Sequence, residues 1–113
     1  MKEKKTGVLL LNFGAPESLV EVEDFITHIC QGKKPPEHLL KTMKERYSLL
    51  GGGSPLNAIT RNQAESLSAE LKKQGEEYPV FCGMLHSKPF IPQAVEKMVN
   101  AGIKRVIALS LAP

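Results

Sequence analysis

The residues best suited to chemistry lie in one run near the middle of the chain, Arg46-Tyr47-Ser48-Leu49-Leu50-Gly51-Gly52-Gly53-Ser54-Pro55-Leu56-Asn57-Ala58-Ile59-Thr60. A guanidinium, a phenol and a hydroxyl flank three consecutive glycines. Glycine loses more backbone entropy on folding than any other residue, so such a run marks left-handed backbone or the close approach of something to the main chain. A glycine loop that feeds a helix N-terminus offers unpaired N–H groups and a favourable dipole to an anion. Two readings stand at this point: an anion cradle, and a strained helix-to-helix turn that holds no ligand. Two common phosphate motifs are excluded. The turn after the first strand-like run has one glycine, Gly14, where a dinucleotide fingerprint needs G-x-G-x-x-G, and Gly53 is followed by Ser54-Pro55 where a Walker loop needs Lys-Ser/Thr.

The remaining polar chemistry is dispersed. His28 falls beside the apolar stripe of a helix, His38 in the first turn of the next, and His86 just past the end of a strand, which is the best address of the three for function. Nothing in the sequence supplies His86 with a partner. Cys30 and Cys82 have no second Cys or His at metal-ligand spacing and read as small core residues in a reducing cytoplasm. Glu21, Glu23 and Asp24 fall on the solvent side of a helix and Glu76-Glu77 in a turn. No Ser-His or Cys-His pairing is suggested.

The elements that must position these groups alternate. Gly7-Val8-Leu9-Leu10-Leu11-Asn12-Phe13 is a continuous apolar run, which predicts a strand buried on both faces. Ser18-Leu19-Val20-Glu21 matches a capping box and opens a helix with Val22, Phe25, Ile26, Ile29 and Cys30 on one face, stopped by Gly32. Pro35-Pro36-Glu37 opens a second helix, with Leu39, Leu40, Met43, Tyr47 and Leu50 apolar, that ends at the glycines. Thr60-Arg61-Asn62-Gln63 reads as another capping box for a helix to Gly75. Tyr78 to Leu85 is a second strand, Ile91 to Gly102 a further amphipathic helix, and Lys104 to Leu111 a third strand. The order predicts an α/β fold: a three-layer, Rossmann-like parallel sheet with helices on both faces, in one domain over residues 1–113 that is incomplete at its C-terminal end.

Composition narrows the function classes. At 113 residues and 42% hydrophobic the chain can bury one core. No run of eighteen apolar residues is present, so no membrane span is expected and membrane contact would be peripheral only; the N-terminus lacks a signal-peptide pattern, and the expected location is the cytoplasm. The net charge of +3 is spread out, with Lys2 to Lys5 and Lys33-Lys34 read as solvated ends of elements. A nucleic-acid surface needs a basic stripe with stacking aromatics, and none is there.

The motifs taken together resemble the N-terminal part of the ferrochelatases, the enzymes that insert ferrous iron into a porphyrin in haem synthesis. The matching blocks are Leu11-Asn12-Phe13-Gly14-Ala15-Pro16-Glu17-Ser18-Leu19, Thr27-His28-Ile29 with Gly32 and Lys34-Pro35, Arg46-Tyr47, Gly51-Gly52-Gly53-Ser54-Pro55-Leu56 with Ile59-Thr60 and Gln63, then Gly83, His86, Pro89-Phe90-Ile91 and Ala112-Pro113. The resemblance implies one of two similar α/β halves around a porphyrin cleft. It implies that Phe13, Arg46, Tyr47 and Ser54 bind the macrocycle or its propionates, with no catalytic or metal residue in this stretch, since the family's metal-binding histidine and acidic partner lie beyond residue 113. Porphyrin and Fe²⁺ are then substrates, with no permanently bound cofactor. Two departures stand out against the bacterial coproporphyrin III enzymes: Phe13 replaces a tyrosine able to approach the iron, and Cys30-Gln31 replaces two arginines. Other readings are a small sirohydrochlorin-type cobalt or nickel chelatase and a non-catalytic porphyrin-binding module, and the open sheet edge is a route to self-association.

Overall fold

The computed structural model describes residues 5–112. Three parallel strands, β1 (Thr6–Asn12), β2 (Val80–Met84) and β3 (Arg105–Ser110), form one sheet in the order β2-β1-β3. β1 is central, pairing Val8 with Val80 on one side and with Ile107 on the other. Its apolar run works because successive side chains alternate between faces. Val8 and Leu10 pack beneath α3 (Leu56–Lys73) with Ala64, Leu67 and Leu71. Leu9 and Leu11 pack beneath α4 (Ile91–Asn100) with Ala94, Met98 and Ile103. Helices thus cover opposite faces, as the α/β pattern predicts. The chain moves from β1 to β2 in one direction and then back past β1 to β3, so the strand order reverses at the β1–β3 gap, where α/β sheets open a crevice beyond their strand ends.

The β1-to-β2 connection also carries α1 (Val22–Ile29) and α2 (Glu37–Leu49). Val22, Phe25 and Ile26 of α1 are buried against Leu40, Met43 and Tyr47 of α2, a second small core beside the sheet. Leu50, expected on that apolar face, is instead largely exposed, because α2 has ended at Leu49 and the chain has turned away. Cys30 and Cys82, expected in the core, are half-buried at its margins, where each packs against one of these clusters.

Helix starts depart from the sequence reading in three places. The Ser18 box does not close: the chain makes one 3-10 turn at Leu19–Glu21 through a Glu21 N–H to Ser18 carbonyl bond of 3.1 Å, and the Glu21 carboxylate accepts from Glu17 N at 3.4 Å instead of from Ser18. That helix also stops at Ile29, with Gln31 and Gly32 both in left-handed backbone. Pro35 and Pro36 lie just before α2 and not in its first turn. The third helix begins at Leu56 and not after Thr60, because Ser54 Oγ accepts the Leu56 N–H at 3.2 Å and the Pro55 carbonyl takes the first helical bond, from Ile59 N at 2.9 Å.

Of the lysines read as solvated, Lys2 to Lys4 lie outside the described residues, while Lys5 is exposed and donates to the Ala101 carbonyl at 3.0 Å. Among the described residues no helix is long and apolar enough to cross a membrane. All six residues of β3 are exposed, since α3 and α4 both sit over β1 and β2.

Met84 is 0% exposed and closes the core at the end of β2, whereas Leu49 is 88% exposed. Met84→Ala is expected to lower stability by about 2–5 kcal/mol, from lost burial and the cavity left behind. Leu49→Ala should fall within about 0.5 kcal/mol of the parent. Urea titrations followed by circular dichroism measure both.

Candidate functional site at the C-terminal ends of the strands

The loops leaving β1 and β2 run side by side. The Leu85 N–H donates to the Asn12 carbonyl and the His86 N–H to the Phe13 carbonyl, each at 3.0 Å, so the ladder continues past the strands. This places Phe13 against His86, with ring centroids 4.6 Å apart and edge-to-face. Phe25 of α1 stands 6.2 Å from Phe13 and 6.3 Å from His86. Phe13 remains 42% exposed, so an apolar ring faces outward at the mouth of the sheet.

What holds this corner is Asn57, in the first turn of α3 and 1% exposed. Its Oδ1 accepts from Ala15 N at 3.1 Å, and its Nδ2 donates to Ala15 O at 2.8 Å and to Ser87 Oγ at 3.2 Å. One side chain therefore ties the loops after β1 and β2 to the helix behind them. Thr60 adds a second tie, accepting from Asn12 Nδ2 at 3.1 Å while donating to Leu56 O at 2.9 Å. It is fully buried inside the helix, which is why it caps nothing. At the surface, Arg61 bonds Glu17 at 2.9 Å and holds its carboxyl below the usual range, joining the same loop to the same helix a third time. With both partners substantially exposed, this pair adds little stability.

The glycine run closes the corner. Gly51 and Gly52 adopt φ of +92° and +102°, the left-handed backbone that side chains disfavour. The Gly52 N–H returns to the Tyr47 carbonyl at 2.8 Å, ending α2. Gly53 serves differently: a Cβ there would collide with the Glu17 carbonyl. Next to it, Ser54 N donates to Pro16 O at 2.9 Å. The loop is thus a turn laid directly on the post-β1 loop. Its tightness is explained by backbone packing without any ligand, although the Ser54 hydroxyl, which accepts from Leu56, keeps its proton to donate.

Of the four residues expected to bind porphyrin, Phe13 lies at the centre of the corner and Ser54 is pinned to its loop. Tyr47 packs inward against the Val22–Phe25–Ile26 cluster. Arg46, one residue earlier and so about 100° around the helix, is exposed, and among the described residues its guanidinium has no ion pair or side-chain hydrogen bond. The structure does not join Arg46 to the other three.

Two features go beyond the sequence reading: the ties made by Asn57 and the contact between His86 and His28. Asn57 lies within the central run but is given no role there, though a polar residue so early in a helix, two residues after Pro55, signals a cap or a tie. His86, partnerless in the sequence, has its Nδ1 2.8 Å from Nδ1 of His28, 58 residues away. His28 in turn stacks on Phe90, centroids 4.9 Å apart and planes 20° from parallel. Burial, and secondarily the charge of His28, lower the basicity of His86, so its neutral form is favoured. Among the described residues no group of three or more metal-ligating side chains converges.

With this geometry in place, comparison with known proteins is decisive. The ferrochelatase family model matches residues 5–113. The chain belongs to the ferrochelatase family. Over 115 aligned positions it is 44% identical to coproporphyrin III ferrochelatase 2 of Bacillus cereus, an alignment that covers 100% of this chain and 36% of that protein. The coproporphyrin III ferrochelatases of Oceanobacillus iheyensis and Anoxybacillus flavithermus are 40% and 38% identical, likewise over the whole chain and 37% and 36% of their own lengths. The chain thus spans little more than a third of these ferrochelatase relatives.

Asn57→Leu removes the partner of a buried Ala15 amide and is expected to cost about 1–3 kcal/mol. Gly53→Ala forces the glycine loop off the Glu17 carbonyl and should cost about 1–3 kcal/mol as well. Gly75→Ala, at a helix end with open space around it, tests the alternative that left-handed φ alone matters. Urea midpoints rank the three.

Proposed function

We propose that this chain forms one wall of the porphyrin cleft of a ferrochelatase, which inserts Fe²⁺ into coproporphyrin III or protoporphyrin IX in haem synthesis. The observation that carries the reading is the exposed Phe13 ring at the strand ends, backed by His86 and bordered by the glycine loop. A flat macrocycle needs an apolar surface of that kind, with polar groups at its rim for the propionates. The Phe13 ring supplies the surface. The Ser54 hydroxyl supplies a donor, and Arg46, an exposed cation about one and a half helical turns before the glycines, supplies the charge by swinging its long side chain toward the rim, since a charge-assisted bond is about twice as strong as a neutral one. Tyr47 supports the wall from behind.

In this reading Fe²⁺ and the porphyrin are substrates and no cofactor is resident. The relatives are named for coproporphyrin III, which makes it the first substrate to test. The phenylalanine at position 13 offers the macrocycle a face but no oxygen atom with which to ligate the iron, in keeping with metal-binding residues that the family resemblance puts beyond residue 113. The protein acts in the cytoplasm, with any membrane contact peripheral. The apolar residues exposed on β3, Val106, Ile107 and Leu109, together with its free edge, make self-association of this chain the expected behaviour at high concentration.

Coproporphyrin III added to the chain should show a shifted Soret band and quenched fluorescence. Arg46→Met should weaken binding by about 10-fold or more, as expected for loss of a charged hydrogen bond worth about 1.5–3 kcal/mol. A porphyrin esterified at its propionates should bind both forms alike. Equal affinity of the parent and Arg46→Met for coproporphyrin III removes Arg46 from the rim, and no spectral change in the parent removes the cleft.

A further inference from the structure

The two imidazoles at the strand ends line up four ring nitrogens. His28 Nδ1 and His86 Nδ1 are 2.8 Å apart, so one hydrogen lies between them, and each ring keeps its Nε2 on the edge away from the contact. Among the described residues no other side-chain hydrogen bond reaches either ring, so nothing locks the sense of the shared bond. Whichever ring donates has a lone pair on Nε2, and whichever accepts has a hydrogen there. In either sense, one outer nitrogen of the neutral pair is a base and the other an acid.

The two ends differ in their surroundings. His86 is half-buried, edge-on to Phe13 and Phe25 with ring centroids 4.6 and 6.3 Å away. His28 is exposed and steadied by its stack on Phe90. Charged side chains on the surrounding elements stay apart from the pair. Glu23 and Asp24 of α1 and Lys88 after β2 are exposed, Glu17 after β1 is paired with Arg61, and the first turn of α4 carries no charge. Burial disfavours a charged His86, so a proton arriving there is driven on toward solvent and not kept.

We propose that His86 and His28 form a proton relay between the aromatic corner beside Phe13 and solvent. A proton that binds Nε2 of His86, while His86 is the donor, makes that ring cationic. The Nδ1 hydrogen of His86 then crosses to His28 Nδ1, and His28 releases its own Nε2 hydrogen to water. One proton enters and one leaves, both rings end neutral, and the sense of the shared bond is reversed. The reverse passage, once the corner is open to water, resets the pair. Fe²⁺ entering a porphyrin displaces two pyrrole hydrogens as protons, and the relay takes one of them per passage. That last step rests on the porphyrin reading; the coupling of the two rings does not.

The test has a part without porphyrin and a part with it. The chain labelled with ¹³C,¹⁵N-histidine is first titrated by NMR with no ligand. A pair that shares one hydrogen takes up its first proton as a unit and its second in a separate step, so both rings should report both steps. His28→Ala and His86→Ala should each leave one simple titration. Each ring titrating once at its own midpoint, unmoved by loss of the other, overturns the proposal.

With coproporphyrin III bound, its pyrrole N–H signals measure exchange with solvent. His28→Gln keeps a side chain able to hydrogen-bond His86 but unable to pass a proton, and should slow that exchange about 100-fold, the low end for a positioned acid–base group. Added imidazole should restore the rate in His28→Gly. Exchange in His28→Gln at the parent's rate overturns the relay. A chain that titrates as a coupled pair but binds no coproporphyrin III fails the cleft reading alone.

Discussion

The corner at the strand ends depends on one buried amide. Asn57 satisfies both the N–H and the carbonyl of Ala15 and then reaches Ser87, so the loops after β1 and β2 cannot move independently of α3. A buried polar group without a partner is expensive, and this side chain supplies partners to three at once. Gly14 shows how little slack remains: a Cβ there would collide with Ser87 Oγ. The position of Phe13, one residue before Gly14, follows from these ties.

The glycine loop is the second constraint and is subordinate to the first. It lies on Pro16 and Glu17, in the segment that Asn57 and Arg61 already fix. Two glycines supply left-handed turns and the third supplies proximity. The two readings that the sequence leaves open are therefore not exclusive. The loop is a packed turn in its own right, and its Ser54 hydroxyl is the part left over for a ligand.

The regular part of the fold is legible in the sequence for a physical reason. A strand buried on both faces must be apolar at every position, and Val8 to Leu11 are; amphipathic helices repeat at a spacing that α1 and α4 display. Helix starts are less legible because a capping box is a local pattern, while the Thr60 hydroxyl is claimed by Asn12 from β1 and the Glu21 carboxylate by Glu17. The site divides in the same way. Phe13 and Ser54 lie on loops whose motif order marks them, but the His28–His86 contact spans 58 residues and exists only once α1 is folded against the loop after β2. No local spacing encodes such a pair.

The central claim is that ligand recognition is concentrated at the strand ends around Phe13. Backbone amide shift mapping of the ¹⁵N-labelled chain during titration with coproporphyrin III tests it most directly. The account predicts that the largest perturbations fall on Phe13, Gly14, His86 and Gly51 to Ser54, with α4 and the start of β1 unmoved. Perturbations centred on the exposed faces of β3, with those residues silent, would contradict it.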